Sequence, residues 1–279
     1  MRALFLIPGD EIRQLQTFPA VAAVAEQLSF AMQVACAPAV APVWKLLPVV
    51  EKVIPFNFAD ATLADWANLL GSVREPDFQA CINLAGGRQV DLMLSMSHIP
   101  ARIASGGFSA TEKVTVSDQG WAAQALEAYL RPIGVRLDAD AFRLRLPPPA
   151  LEQAAAAQPA GDGPMLLLSP AGVPGDWPQQ CWHELPATIR ERLPALRCVS
   201  QPPAEGSPLT RAARIATSDV VLASDPLSEE LALLCGVPLV ALGRGDDSLP
   251  ARQGVKGLTA PGGLGELPTV AVLSALGFA

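Results

Sequence analysis

The chain has 279 residues, half of them hydrophobic and 17% charged, which suffices for two domains of roughly 100–200 residues, each with its own core. A net charge of −7 and an isoelectric point near 4.9 argue against the basic face of a nucleic-acid-binding protein and against a polybasic membrane-binding surface. Despite a mean hydropathy of +0.30, no run reaches the roughly 18 apolar residues of a transmembrane segment, and Leu231–Leu242 is broken by Cys235-Gly236 and Pro238.

Short apolar runs alternate with helical patterns from the start. Arg2–Ile7 predicts a buried parallel strand closed by the turn Pro8-Gly9-Asp10. This apolar start is too short for a signal peptide, so a cytoplasmic location is expected. Thr17–Leu28 predicts a helix, Ser29–Ala37 a strand, Ala39–Leu47 a helix and Val50–Phe56 a strand. Thr62–Leu70 predicts a helix with Asp60 as the cap, and Phe78–Leu84 a strand running into Gly86-Gly87. A helix over Gln89–Met96, a strand over Ile99–Ala104 and a helical stripe over Gly120–Ile133 complete the first half.

Residues 147–164 read PPPALEQAAAAQPAGDGP, a proline stop followed by an alanine-, glycine- and proline-rich linker. The expected division is a first domain over 1–147, a linker over 148–163 and a second domain over 164–279. The second half restarts with strands at Met165–Ser169, Leu196–Ser200, Val220–Ala223 and Pro238–Leu242. Helices are expected at Cys181–Leu193, Leu209–Ala216, Ser228–Cys235 and Thr269–Leu276. This α/β rhythm implies two Rossmann-like halves with a cleft facing the carboxyl ends of their strands.

The cysteines at 36, 81, 181, 198 and 235 are isolated, odd in number and set in apolar runs, the pattern of buried thiols in a reducing compartment. With two histidines, His98 and His183, and no Cys-x-x-Cys, no metal site is expected. Gly262-Gly263-x-Gly265 lacks a strand-to-helix context and reads as a loop.

Several stretches, in order, carry a resemblance. They are Arg2–Leu6 with Gly9 and Thr17–Val21, Val49–Ile54, Asp77–Gly87, Ala101–Gly107, Leu166–Trp182 and Leu209–Leu242. Together they resemble glycosyltransferase family 9, the ADP-heptose:lipopolysaccharide heptosyltransferases, over nearly the whole chain. The resemblance implies an α/β fold of GT-B architecture, an acceptor-side first domain and a nucleotide-side second domain. It also implies an inverting transferase, in which a carboxylate deprotonates the acceptor and cations neutralise the diphosphate.

Three family signatures are altered. The family base is an aspartate six residues before the proline of Thr-x-Pro. Counting back from Pro19 reaches Arg13, with Ile12 before it, and a guanidinium does not act as a base. Arg13 is therefore expected beside the cleft, where the carboxylate would stand. Gly9-Asp10 lies three residues too early, and Asp10 reads either as a turn residue or, with a slipped register, as the base. The phosphate-binding lysine of Ser-Lys-x-Trp maps to Gly175, with Asp176 beside it. The family's Asp-Ser-Gly, followed by histidine, maps to Asp225-Pro226-Leu227 with Glu230. Pro226 removes one amide donor, and Asp225 reads as a helix N-cap.

The resulting expectation is a catalytically inactive family-9-like protein without a cofactor, serving as a protein-binding or scaffolding subunit of a larger complex. Any residual binding in the cleft falls to Gly9, Arg13, Arg88 and Asp225. The alternative is an active inverting transferase that uses Asp10 as base and moves a sugar from a nucleotide donor to a glycan or lipid. A third reading is a regulatory sensor that binds a nucleotide without turnover.

Overall fold

The β-α rhythm is realised as two separate parallel sheets. The structure, a computed structural model, describes residues 1–75, 77–203 and 206–278. It divides into two compact units, Met1–Phe142 and Arg143–Ala279.

The first unit runs β1 (Arg2–Leu6), α1 (Glu11–Gln16), α2 (Phe18–Leu28), β2 (Ala31–Cys36), β3 (Val50–Pro55), α3 (Leu63–Arg74) and β4 (Phe78–Asn83). It continues through α4 (Arg88–Met96), β5 (Ala101–Ala104), β6 (Glu112–Lys113), α5 (Ala122–Ala125) and α6 (Glu127–Leu130). Its strands pair in parallel in the order β3-β2-β1-β4-β5-β6. β1 lies inside the sheet, and its Ala3, Leu4, Phe5 and Leu6 are fully buried, which is why this strand reads as an unbroken apolar run.

The second unit runs α7 (Pro148–Ala156), β7 (Met165–Ser169), α8 (Gln179–Arg192), β8 (Arg197–Ser200), α9 (Pro208–Ala216) and β9 (Val220–Ala223). α10 (Pro226–Cys235), β10 (Leu239–Leu242), β11 (Val255–Leu258) and α11 (Thr269–Ala275) follow. The sheet order is β11-β10-β9-β7-β8, again parallel. Its core gathers Leu166, Leu168, Leu185, Ile189 and Leu222 around Trp177 and Trp182.

Besides the unexpected strands β6 and β11, the structure differs from the sequence reading as follows. Residues 11–16 form the short helix α1, which Asp10 opens as N-cap by accepting from the Arg13 amide at 2.9 Å. The helix expected at 39–47 is a 3-10 turn over Ala41–Leu46 that contains Pro42, a residue with no N–H for an α-helical bond. The cap of α3 is Thr62 rather than Asp60. Thr62 Oγ1 accepts from the Asp65 amide while the Asp65 carboxylate takes the Thr62 amide, a reciprocal capping box. The stripe at 120–133 breaks into α5, α6 and a 3-10 turn over Arg131–Ile133, ended by Gly134 at φ 74°. Lastly, the segment read as a linker begins with the helix α7. Its prolines stand in the first turn, where a missing N–H costs nothing, and alanine is the best helix former. Just beyond α7, Gln158 Nε2 donates to the Thr217 carbonyl at 2.7 Å and ties this segment to the end of α9.

Among the described residues, no helix is long and apolar enough to cross a membrane.

Candidate functional site

In a doubly wound sheet, ligands bind at the carboxyl ends of the strands where the strand order reverses. In the first unit that point lies between β1 and β4. The loops leaving these two strands carry Gly9, Asp10 and Arg13 on one side and Gly87 and Arg88 on the other. The fold therefore brings the first-unit candidates to one end of one sheet.

Gly9 has φ +105°, and a Cβ there would lie 3.2 Å from the Arg13 Cβ. The turn needs glycine, because the following helix start folds Arg13 back over it. Asp10 is exposed and its carboxylate is engaged as a helix cap. Gln14, fully buried, fixes α1 by donating to the Ile7 carbonyl at 3.2 Å and accepting from Trp44 Nε1 at 3.1 Å. Arg13 is half-buried. It lines a cavity of about 620 Å³ together with Ser105, Thr115, Ser117, Asp118 and Tyr129. Arg88 is exposed at the first turn of α4, after Gly87 at φ +114°.

The loop that follows β5 and Ser105 is pinned by Asp91, a buried residue of α4. Its carboxylate accepts from the Phe108 amide at 3.1 Å, the Ser109 amide at 3.4 Å and Ser109 Oγ at 2.6 Å. Gly107 sits at φ +97°, and a Cβ there would collide with the Asp91 carboxylate. Gly107→Ala is therefore expected to destabilise the protein by about 3 kcal/mol, from left-handed strain plus displaced charge-assisted bonds. Urea unfolding measures it, and a loss under about 1 kcal/mol would contradict the pinning.

In the second unit the reversal lies between β7 and β9, so the relevant loops are 170–178 and the start of α10. Asp176 folds its carboxylate onto its own loop, accepting from the Gly172 amide at 2.9 Å and the Trp177 amide at 2.7 Å. Ser224 Oγ accepts from the Ala171 amide at 2.8 Å. Asp225 caps α10 by accepting from the Ser228 amide at 3.0 Å, with Pro226 as the first helical residue. The amides of Ala171, Gly172, Trp177 and Ser228 are thus bonded to the protein's own side-chain oxygens.

Beneath this surface lies a polar cluster that the sequence reading did not identify. Arg211, on α9 and 4% exposed, bonds the Asp225 carboxylate and donates to Ser228 Oγ at 2.9 Å. Ser169 Oγ, at the end of β7, meets Ser228 Oγ at 2.8 Å. Directly after Ser228 on α10, Glu229 and Glu230 are buried and face Arg244 at 3.8 and 3.1 Å. Burial pushes the Glu229 carboxyl up to about 8, Arg244 pulls it back, and Glu230 and Asp225 raise it further. Arg211 is thus paired with Asp225, and Arg244 with Glu229 and Glu230, so both guanidiniums are engaged by the protein's own acidic side chains.

The Glu229 shift has a definite sign. Its folded value near 8 exceeds the ordinary 4.5, so the folded state holds a proton that the unfolded chain releases between these values. Stability therefore falls as pH rises through that window and levels off above it. Glu229→Gln is expected to flatten the decline between pH 5.5 and 8.5, by up to a few kcal/mol. Parallel profiles for wild type and variant in urea unfolding would contradict this.

The remaining sequence candidates fall outside these clusters. His98 lies within 3.0 Å of an Arg74 guanidinium nitrogen and His183 within 3.4 Å of Gln179. All five cysteines are free, and burial raises the thiols of Cys36 and Cys198 to about 11. Among the described residues, no three His, Cys, Asp or Glu side chains converge on a metal site.

No family model matches the sequence, and no curated protein does. Solved structures do match. The glycosyl transferase family 9 protein from Veillonella parvula DSM 2008 superposes with a TM-score of 0.77 at 14% identity, over 99% of this chain and 96% of that one. ADP-heptose lps heptosyltransferase II of E. coli gives a TM-score of 0.73 at 15% identity, over 99% and 98% of the two chains. E. coli heptosyltransferase WaaC with ADP-2-deoxy-2-fluoro heptose gives 0.71 at 15%, over 99% of each. At such identities the likeness is one of fold: the chain is an α/β protein of GT-B architecture with the fold of the family 9 heptosyltransferases.

Proposed function

We propose that this chain is a family-9-fold protein that has given up nucleotide-sugar transfer and serves as a protein-binding subunit of a larger assembly. The observation that carries the reading is the self-occupation of the second unit's phosphate-facing loops. Asp176 and Asp225 hold the amides of Gly172, Trp177 and Ser228. An incoming diphosphate would meet the Asp176 carboxylate beside the position where the resemblance puts a lysine, and Pro226, which has no N–H, where it puts a serine. In the first unit, Arg13 supplies a cation where transfer needs a base, and Asp10 is engaged as a helix cap.

A transfer assay tests this directly. Wild-type protein incubated with nucleotide sugars and a lipid or glycan acceptor is expected to release no nucleoside diphosphate above the uncatalysed rate. Arg13→Asp alone is expected to gain none, because the phosphate contacts are missing as well. Turnover by the wild type that disappears in Asp10→Asn, with circular dichroism unchanged, would establish the active-transferase reading instead.

A further inference from the structure

We propose that the first unit holds a pocket for a zwitterion, an amino acid with an apolar side chain, seated between Arg13 and Asp118. The pocket lies within the first unit alone and is independent of the second-unit loops that carry the protein-binding reading.

Three parts of the first unit build its walls. α1 supplies Arg13, and the bonds of buried Gln14 to the Ile7 carbonyl and to Trp44 Nε1 hold that helix in place. The edge of the sheet supplies a second wall. β6 pairs with β5 at Ile103 opposite Glu112 and Ala104 opposite Lys113, and the Val114 amide extends the ladder by donating to the Ala104 carbonyl at 3.0 Å. Residues 114–118 run on from there along the cavity. α5 and α6, with Leu126 between them, complete the enclosure through Tyr129. The space is about 620 Å³, within the usual range of roughly 300–1,000 Å³ for small-molecule sites.

Tyr129 provides the observation that points to a ligand. It is 5% exposed and lines the cavity, yet among the described residues its hydroxyl meets no donor or acceptor. A buried tyrosine normally bonds its O–H, because an unmade bond leaves the desolvation of that group uncompensated. Whatever fills the cavity must supply the partner.

Two charges lie open on the same lining. Arg13 is half-buried and Asp118 exposed. Among the described residues neither side chain forms an ion pair or a hydrogen bond, with the other or with any third group. Other half-buried guanidiniums of this chain are engaged: Arg102 by the Ser109 carbonyl, Arg197 by the Gly163 carbonyl, Arg244 by Glu230 and Arg252 by the Leu233 carbonyl.

These groups select the ligand. A guanidinium receives a carboxylate in forked geometry, and the Tyr129 hydroxyl is a further donor for it. A phosphate or diphosphate would bring its extra negative charge up to Asp118, and like charges repel. An ammonium group offsets Asp118 instead, so a carboxylate and an ammonium on one molecule satisfy both sides. Val114, Val116 and Leu126 give the cavity an apolar part that can take the side chain.

Isothermal titration of the full-length protein with L-phenylalanine and L-leucine is the test. At least one is expected to bind with a dissociation constant below about 1 mM. 3-Phenylpropionate, which lacks the ammonium, and phenethylamine, which lacks the carboxylate, should each bind about tenfold more weakly or worse. Inorganic phosphate should give no heat. Arg13→Gln and Asp118→Asn should each weaken amino-acid binding by about ten- to a hundredfold, and Tyr129→Phe, which removes only the hydroxyl, by about three- to tenfold. Asp118→Asn, on an exposed segment, keeps the outcome readable if a change at the buried Tyr129 disturbs the fold. No binding of either amino acid, equal binding of 3-phenylpropionate, or full affinity in all three variants would each overturn the proposal. Nucleotide turnover by the wild type would undo the reading of the second unit and leave the amino-acid titration untouched, so the two failures are distinguishable.

Discussion

Arg211→Ala is expected to destabilise the protein by about 3–5 kcal/mol, the range for removing one partner of a buried ion pair. Arg211 is 4% exposed and Asp225 8% exposed. Without the guanidinium, the buried Asp225 carboxylate would keep the Ser228 amide as its one donor among the described residues, beside Glu229 and Glu230. Ser228 Oγ would also lose a donor at 2.9 Å. The double variant Arg211→Met with Asp225→Asn should recover much of the loss, because asparagine still caps a helix and no charge remains buried. Urea unfolding at neutral pH separates these outcomes. A loss below about 1 kcal/mol in Arg211→Ala would mean that water reaches the cluster and screens it.

The same cluster marks how far the sequence could be read. β1, β7 and β9 were legible because strands buried on both faces read as continuous apolar runs. The cap of α10 was legible too, since Asp225-Pro226 followed by Ser228-Glu229 is a local signal for a helix start. β6 and β11 were not legible, because their two and four residues include the charged Glu112, Lys113 and Lys256 at sheet edges. α7 was hidden by its composition, as prolines and alanines serve a helix start and a linker equally well.

At the candidate site, residue types were legible and their partners were not. Gly175, with Asp176 beside it, and Pro226-Leu227 could be set against the lysine and the Ser-Gly pair that the resemblance implies. That Asp176 would take the amides of Gly172 and Trp177 depends on the loop's path, which spacing does not fix. Arg211 meets Asp225 from another helix, and Ser169 meets Ser228 across 59 positions. Only the packing of α9 and β7 against α10 brings them together. One signal could have flagged the cluster: Glu229 and Glu230 precede Leu231-Ala232-Leu233-Leu234 in a helix lying between two buried strands, a place where carboxylates require nearby cations.

The central claim is that the second unit no longer holds a nucleotide diphosphate. Isothermal titration of the purified full-length chain with ADP, UDP, GDP and their sugar conjugates addresses it most directly. Each charge-assisted phosphate contact that is missing costs about 1.5–3 kcal/mol. With Gly175 where the resemblance implies a lysine and Pro226-Leu227 where it implies Ser-Gly, binding should be weaker by about two to four orders of magnitude. No binding heat is expected with millimolar ligand in the syringe. A micromolar dissociation constant for any of these nucleotides would contradict it and return the chain to the transferases whose fold it shares.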